Sequence, residues 1–335
     1  MGHFRNALAL ILAVSLLACA SKQVPGPSED VQDDGSSPYK TGLVKDQTTT
    51  VDGYTRKFHY YVPPGTTSSL PLVILLHGHG VNIDSMAGVS NVAAPYKVWM
   101  ELAAQDKFIV VYPEGLQGSD GKLGWNDCRA ENTENPNVDD VKFLNSLIAS
   151  ALYPADPQRV YVVGSSNGGM LALRMALESP NTVAAVGAVI ANMPLNSECA
   201  TPTEPTSILF MNGTSDSKVP YGGGLASGEA SKGSVKSVAD SIGFWKTLNA
   251  TSATPSSTVG IADSHTGDSS TATLSTYLGG ANNTSVYEYT ITGGGHLEPS
   301  IKEQYSGLLE LILGKQNHDL EMAEVIWAFL KGKTN

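Results

Sequence analysis

Apolar and polar positions along the chain fall into two repeating patterns. Short, nearly unbroken apolar runs occupy residues 70–77, 108–112, 159–163, 182–190 and 206–211. Runs of that length, rich in Val, Ile, Tyr and Phe, predict strands covered on both faces. Residues 55–62, which end at Pro63-Pro64, and residues 285–291 are strand-like as well. Between them lie segments of helical character: 99–104, 141–151, 169–178, 235–248 and 321–331. Asp139-Asp140 stands where acidic side chains favour a helix start, and Pro180 stands just past a helix end. A long loop, 113–138, separates the second apolar run from its helix. This alternation predicts an α/β fold, a mostly parallel central sheet with helices on both faces. The polar stretch 249–283 reads as a surface excursion. No linker interrupts residues 39–335, which are expected to form one domain.

The first 38 residues follow a different pattern. Residues 7–17 are apolar apart from Ser15, too short a run to cross a bilayer as a helix but suited to the core of a signal peptide. The run ends in Leu16-Leu17-Ala18-Cys19, which resembles the lipobox of bacterial lipoproteins, where the cysteine is lipidated and begins the mature chain. Residues 1–18 are then a signal peptide, and 19–38 a lipidated Cys19 with a flexible tether rich in Pro, Gly, Ser and Asp. An ordinary secretory signal, with Cys19 incidental, is the alternative. Either way the expectation is export, with membrane contact only through the anchor.

Charge and cysteine usage narrow the classes further. The net charge is −11 with no run of lysine or arginine, which argues against a nucleic-acid surface. Beyond Cys19 only Cys128 and Cys199 remain. An even pair in an exported chain favours a disulfide, with two buried free thiols as the alternative. Neither CxxC nor HExxH spacing occurs, so no metal and no cofactor are expected.

The chemistry centres on Gly164-Ser165-Ser166-Asn167-Gly168. This is G-x-S-x-G between a predicted strand and a predicted helix, the context of a nucleophile elbow and of the α/β-hydrolase fold. Serine is a weak nucleophile at neutral pH, so Ser166 needs a base, and the base an orienting carboxylate. In this fold both follow the serine, each just beyond a strand. Asp216 follows the run 206–211, whereas Asp240 falls within a helix and Asp263 and Asp268 follow no evident strand. His296 comes after Gly293-Gly294-Gly295, beyond the strand at 285–291; His59, His77, His79, His265 and His318 are less well placed. An oxyanion needs two backbone donors. Asn167, next to the nucleophile, and His79, in Leu75-Leu76-His77-Gly78-His79-Gly80 after an early strand, fit that requirement.

Taken together, these motifs resemble the esterase family of polyhydroxybutyrate depolymerases and feruloyl esterases, within the α/β-hydrolase superfamily. The likeness also takes in Tyr112-Pro113-Glu114-Gly115-Leu116, Trp125-Asn126 and Asp139-Asp140-Val141, and spans roughly 39–331. It implies Ser166 as nucleophile, Asp216 as acid, His296 as base, and His79 and Asn167 as oxyanion donors. One departure follows His296. Relatives often continue Thr-Trp-Pro, whereas this chain has Leu297-Glu298-Pro299. Trp125 and Tyr221 are candidates to replace that pocket tryptophan, or else are packing residues. The expected function is hydrolysis of a carboxylic ester, from a plant cell wall, a hydroxyalkanoate or another polyester. A serine peptidase of the same fold, or an inactive lipid-anchored binding protein, are the competing readings.

Overall fold

The computed structural model describes residues 37–90 and 94–335. The signal peptide, Cys19 and all but the last two residues of the tether lie outside the described residues. Ten strands form the main sheet: β1 (Gly42–Val51), β2 (Tyr54–Val62), β3 (Leu70–Leu76), β4 (Ile109–Pro113), β5 (Ala155–Ser165), β6 (Ala185–Val189), β7 (Ser207–Gly213), β8 (Ser257–Gly260), β9 (Thr271–Tyr277) and β10 (Val286–Thr292). Their order across the sheet is β1-β2-β4-β3-β5-β6-β7-β10-β9-β8. The run from β4 to β10 is parallel, while β1 and β2 at one edge and β9 and β8 at the other pair antiparallel.

The central strands carry apolar residues on both faces because both faces are covered. In β3, Leu72, Ile74 and Leu76 point into one apolar cluster, and Val73 and Leu75 into the other. The same period-two split divides Val160 and Val162 from Tyr161 and Val163, and Ile208 and Phe210 from Leu209 and Met211. Three helices cover the first face: α2 (Asp140–Ile148), α3 (Asn167–Glu178) and α4 (Val238–Asn249). The second face is covered by α1 (Val98–Asp106) and α6 (Met322–Leu330). The rings of Phe108 and Trp327 stack there at 4.0 Å, and Trp327 Nε1 donates to Asp106. Between these helices in sequence lies the short α5 (Gly307–Leu313).

One sequence expectation is corrected. The stretch 249–283 is not an excursion from the fold, since β8 and β9 lie in it and extend the main sheet. These strands are rich in Ser and Thr, and β8 is exposed along its length, so no apolar alternation announces it. Asp139 and Asp140 stand at the start of α2, as the acidic pair predicts. Asp139 caps α2 by accepting from the Lys142 amide, whereas Asp140 is fully buried and pairs with Arg56 at 2.6 Å.

Candidate active site

Ser166 sits between β5 and α3 with φ 52° and ψ −122°, a conformation that a non-glycine residue adopts only where its surroundings enforce it. The enforcement is the close approach of backbone on every side. A Cβ at Gly164 would come within 2.4 Å of Gly168, and one at Gly168 within 2.4 Å of the Leu76 carbonyl oxygen. With glycine at both positions the turn closes. The Ser166 amide donates to Val189 O at 2.9 Å, which ties the elbow to β6.

Asp216 and His296 reach Ser166 because their strands are neighbours. β7 and β10 pair in parallel, so the loops beyond them leave the sheet side by side, at the carboxyl ends where β5 also ends. The Ser215 amide donates to Gly294 O at 2.9 Å and joins the two loops. The His296 loop is held from its other side too. The His296 amide donates to Leu313 O at 2.6 Å and the Gly295 amide to Lys315 O at 2.8 Å. His296 Nε2 lies 3.0 Å from Ser166 Oγ, and His296 Nδ1 lies 2.7 Å from Asp216 Oδ2. The other oxygen, Asp216 Oδ1, accepts from the amides of Lys218 at 2.7 Å and Val219 at 2.8 Å, so the carboxylate cannot rotate freely. The serine hydroxyl, imidazole and carboxylate therefore form one hydrogen-bonded chain.

The loop that follows β3 lies against the elbow. A Cβ built on Gly78 would stand 3.5 Å from Ser166 Cβ. His79 follows directly, and its ring turns away to bond Asp120 Oδ2 at 2.9 Å. Asn167 is the first residue of α3, so its amide has no partner in the preceding turn. Asn167 follows Ser166 directly, and His79 follows the glycine that packs against it. His77, one residue before Gly78, is buried and keyed to one tautomer. Its Nδ1–H donates to Gly78 O at 2.8 Å, and its Nε2 accepts from the Gly115 amide at 2.9 Å. Burial lowers its pKa to about 4, which keeps the ring neutral.

Trp125 does not line the site. It is fully buried beneath it, with its indole N–H donating to His77 O at 2.9 Å and its ring 4.8 Å from that of His77. Its backbone is clamped by the Asn167 side chain, which accepts from Trp125 N at 2.7 Å and donates to Trp125 O at 3.0 Å. The same amide group donates to Asp127 Oδ2 at 2.6 Å, and Asp127 is paired in turn with Arg129. Asp140 extends the brace by accepting from the Asn126 amide at 2.7 Å. Tyr221 is also outside the cleft, with its hydroxyl facing Glu288 and Thr290 on β10. The bridge between Cys128 and Cys199 is present and ties the braced loop to the segment after β6.

The triad opens into a cleft of about 600 Å³. Its lining includes the apolar Met86, Ile190, Leu297, Leu309 and Leu313 and the charged Lys122, Arg129, Lys218, Lys232, Glu134 and Glu229. Of these residues only Leu297 is singled out by sequence reasoning. The rest come from loops, from the short helical turn Ile83–Met86 and from α5, whose lining role has no periodic signature. At the rim, His79, Asp120 and Glu134 bring potential ligand atoms within 4.8 Å of one another. Glu134 is already bound by Lys232 and Ser231, and Asp120 has Lys122 at 3.7 Å, so ammonium groups supply the positive charge a cation would bring.

A model described as esterase PHB depolymerase matches residues 56–198, the stretch holding His79, Trp125 and the elbow. Over that stretch the chain is similar to that family. It is 30% identical over 238 residues to NocK of Nocardia uniformis subsp. tsuyamanensis, a protein named for an inferred esterase activity, covering 65% of this chain and 66% of NocK. It is 28% identical over 262 residues to poly(3-hydroxyalkanoate) depolymerase C of Paucimonas lemoignei, covering 71% of this chain and 58% of the depolymerase. The chain therefore spans less than two thirds of each relative's length. Its fold is similar to that of an acetyl xylan esterase from Aspergillus awamori, with a TM-score of 0.51, 16% identity, and coverage of 76% of this chain and 93% of the other. The family match stops before Asp216 and His296, so their pairing with Ser166 rests on the geometry above.

Proposed function

We propose that this chain is an exported serine hydrolase of carboxylic esters. The observation that carries the reading is the hydrogen-bonded chain Ser166–His296–Asp216, with Ser166 and His296 lining an open cleft. Ser166 Oγ attacks the ester carbonyl while His296 Nε2 takes its proton. The imidazolium keeps its Nδ1–H on Asp216, whose fixed carboxylate stabilises the positive ring. The amides of His79 and Asn167 receive the oxyanion, and the rigid brace through Trp125 holds both in place before substrate arrives. His296 then gives its proton to the departing alcohol. In the second half-reaction it draws a proton from water, which releases the acid and restores Ser166.

Relatedness to a poly(3-hydroxyalkanoate) depolymerase supports a polyester or oligoester substrate, and the family resemblance extends the candidates to feruloyl and acetyl esters of plant cell walls. A disulfide between Cys128 and Cys199 suits an oxidising compartment, and Leu16-Leu17-Ala18-Cys19 supports anchoring by lipid at Cys19. Hydrolysis of p-nitrophenyl acetate tests the catalytic reading. Ser166→Ala abolishes turnover, His296→Ala costs several orders of magnitude, and Asp216→Asn somewhat less. Near-normal turnover by His296→Ala would remove His296 from the mechanism.

A further inference from the structure

The peptide group between Gly78 and His79 carries one proposed oxyanion donor, the His79 N–H. A peptide group is planar and trans, so holding its carbonyl sets the direction of its N–H. The carbonyl end is held by His77, whose Nδ1–H donates to Gly78 O at 2.8 Å. The other end is held by a hairpin formed by Leu116–Gln117 and Leu123–Gly124. The Gly80 amide donates to Leu123 O at 2.7 Å. In the turn of that hairpin, Asp120 Oδ2 lies 2.9 Å from His79 Nε2, and Asp120 Oδ1 accepts from the Lys122 amide at 3.0 Å.

The hairpin is itself anchored. The Gly118 amide donates to Lys122 O at 2.9 Å, and the Ser119 amide to Glu134 O at 3.0 Å, so the turn bearing Asp120 is tied to itself and to the next loop. Gly124, at the other end of the hairpin, stands between the two proposed oxyanion residues. A Cβ there would come within 3.0 Å of His79 Nδ1 and 3.3 Å of Asn167 Oδ1. The His79 ring is therefore held from two sides, by Gly124 against Nδ1 and by Asp120 on Nε2. Partial burial pushes the Asp120 carboxyl up, but the bonds from the Lys122 amide and from His79 outweigh it and hold it below its ordinary pKa. Ionised at neutral pH, the carboxylate accepts the Nε2–H of His79.

We infer that Asp120 is a positioning residue for the oxyanion site, holding the His79 ring and so fixing the peptide whose N–H receives the developing charge. A partly exposed ion pair contributes little to global stability, so the role of this one lies in rate. Its effect passes through the imidazole alone, which makes it separable from the other groups around Ser166.

The inference rests on the ester-hydrolase reading for its kinetic arm and not for its exchange arm. In the full-length protein, Asp120→Ala lowers kcat for p-nitrophenyl acetate about tenfold with KM nearly unchanged. That is part of the hundredfold or more, roughly, that loss of a whole oxyanion donor costs. Asp120→Asn keeps an oxygen for the Nε2–H and restores most of kcat. His79→Ala retains the backbone N–H but loses the ring, and lowers kcat as far as Asp120→Ala does. The double variant is no slower than either single one, because both changes remove the same contact. Hydrogen exchange followed by NMR reads the contact without turnover, and the Gly80 amide exchanges about tenfold faster in Asp120→Ala than in the parent. Parental kcat in Asp120→Ala, or losses that multiply in the double variant, overturns the inference. If the parent turns over no ester, the hydrolase reading fails; faster Gly80 exchange in Asp120→Ala then still supports the hold on the loop, and unchanged exchange overturns that too.

Discussion

Asn167 offers the sharpest test of how the oxyanion site is held, because its side chain and backbone have separable tasks. The side chain is 2% exposed and makes three hydrogen bonds, two to the backbone of Trp125 and one to the Asp127 carboxylate. The backbone N–H is the proposed oxyanion donor, and alanine retains it. Each neutral bond is worth about 1 kcal/mol and the charged one about 1.5–3 kcal/mol, with further cost from buried groups left unpaired. Arg129 continues to pair with Asp127 in the variant, which puts the total near the lower end, about 3 kcal/mol. For a chain of this size that corresponds to a fall of about 4 °C in Tm, read by calorimetry. Trp125 also holds the Leu76–Gly80 loop through His77 O, so kcat for p-nitrophenyl acetate drops about tenfold while KM changes little. Asn167→Asp is the control of nearly equal shape. It keeps the bond from Trp125 N but sets a carboxylate against Asp127 and the Trp125 carbonyl, and is therefore less stable than Asn167→Ala at neutral pH. A Tm for Asn167→Ala indistinguishable from the parent, or an Asn167→Asp protein as stable as the alanine variant, would refute the reasoning.

His77 predicts a pH dependence. Its pKa is about 4 in the folded protein against an ordinary 6.5, so between those values the unfolded chain binds the extra proton, and stability falls as pH drops through that window, by about 3 kcal/mol in full. Urea titrations across pH 4–7 give a shallower decline for His77→Gln; equal slopes would exclude His77 as the source. The Cys128–Cys199 bridge closes a separation of 71 residues, for which the chain-entropy model gives about 4 kcal/mol. Paired Cys128→Ser and Cys199→Ser substitutions lower the urea midpoint accordingly, and an unchanged midpoint would show that the braced loop is held without the bridge. Cys19→Ser blocks lipidation and leaves unprocessed precursor in the membrane fraction; native protein free in the medium with an unmodified N-terminus would remove the anchor.

Much of the fold was legible because the central strands are buried on two faces. Continuous apolar runs such as 70–77 and 206–211 have no other economical use in a chain of this composition, and glycine at 164 and 168 can be read as a turn that excludes side chains. The order Ser166, Asp216, His296 follows from the same logic, since each stands just beyond a predicted strand. Pairing is another matter. That β7 lies beside β10, and so carries Asp216 to His296, depends on strand order, which local periodicity does not encode. The edge strands β8 and β9 escaped notice because an exposed or Ser/Thr-rich strand needs no apolar alternation. Trp125 shows the limit most plainly. A bulky residue in a loop near the elbow could face the cleft or the core, and the choice was made by Asn167, forty-two positions away, through hydrogen bonds to its backbone. Sequence determines which residues can do chemistry; burial and long-range contact decide which of them face the substrate.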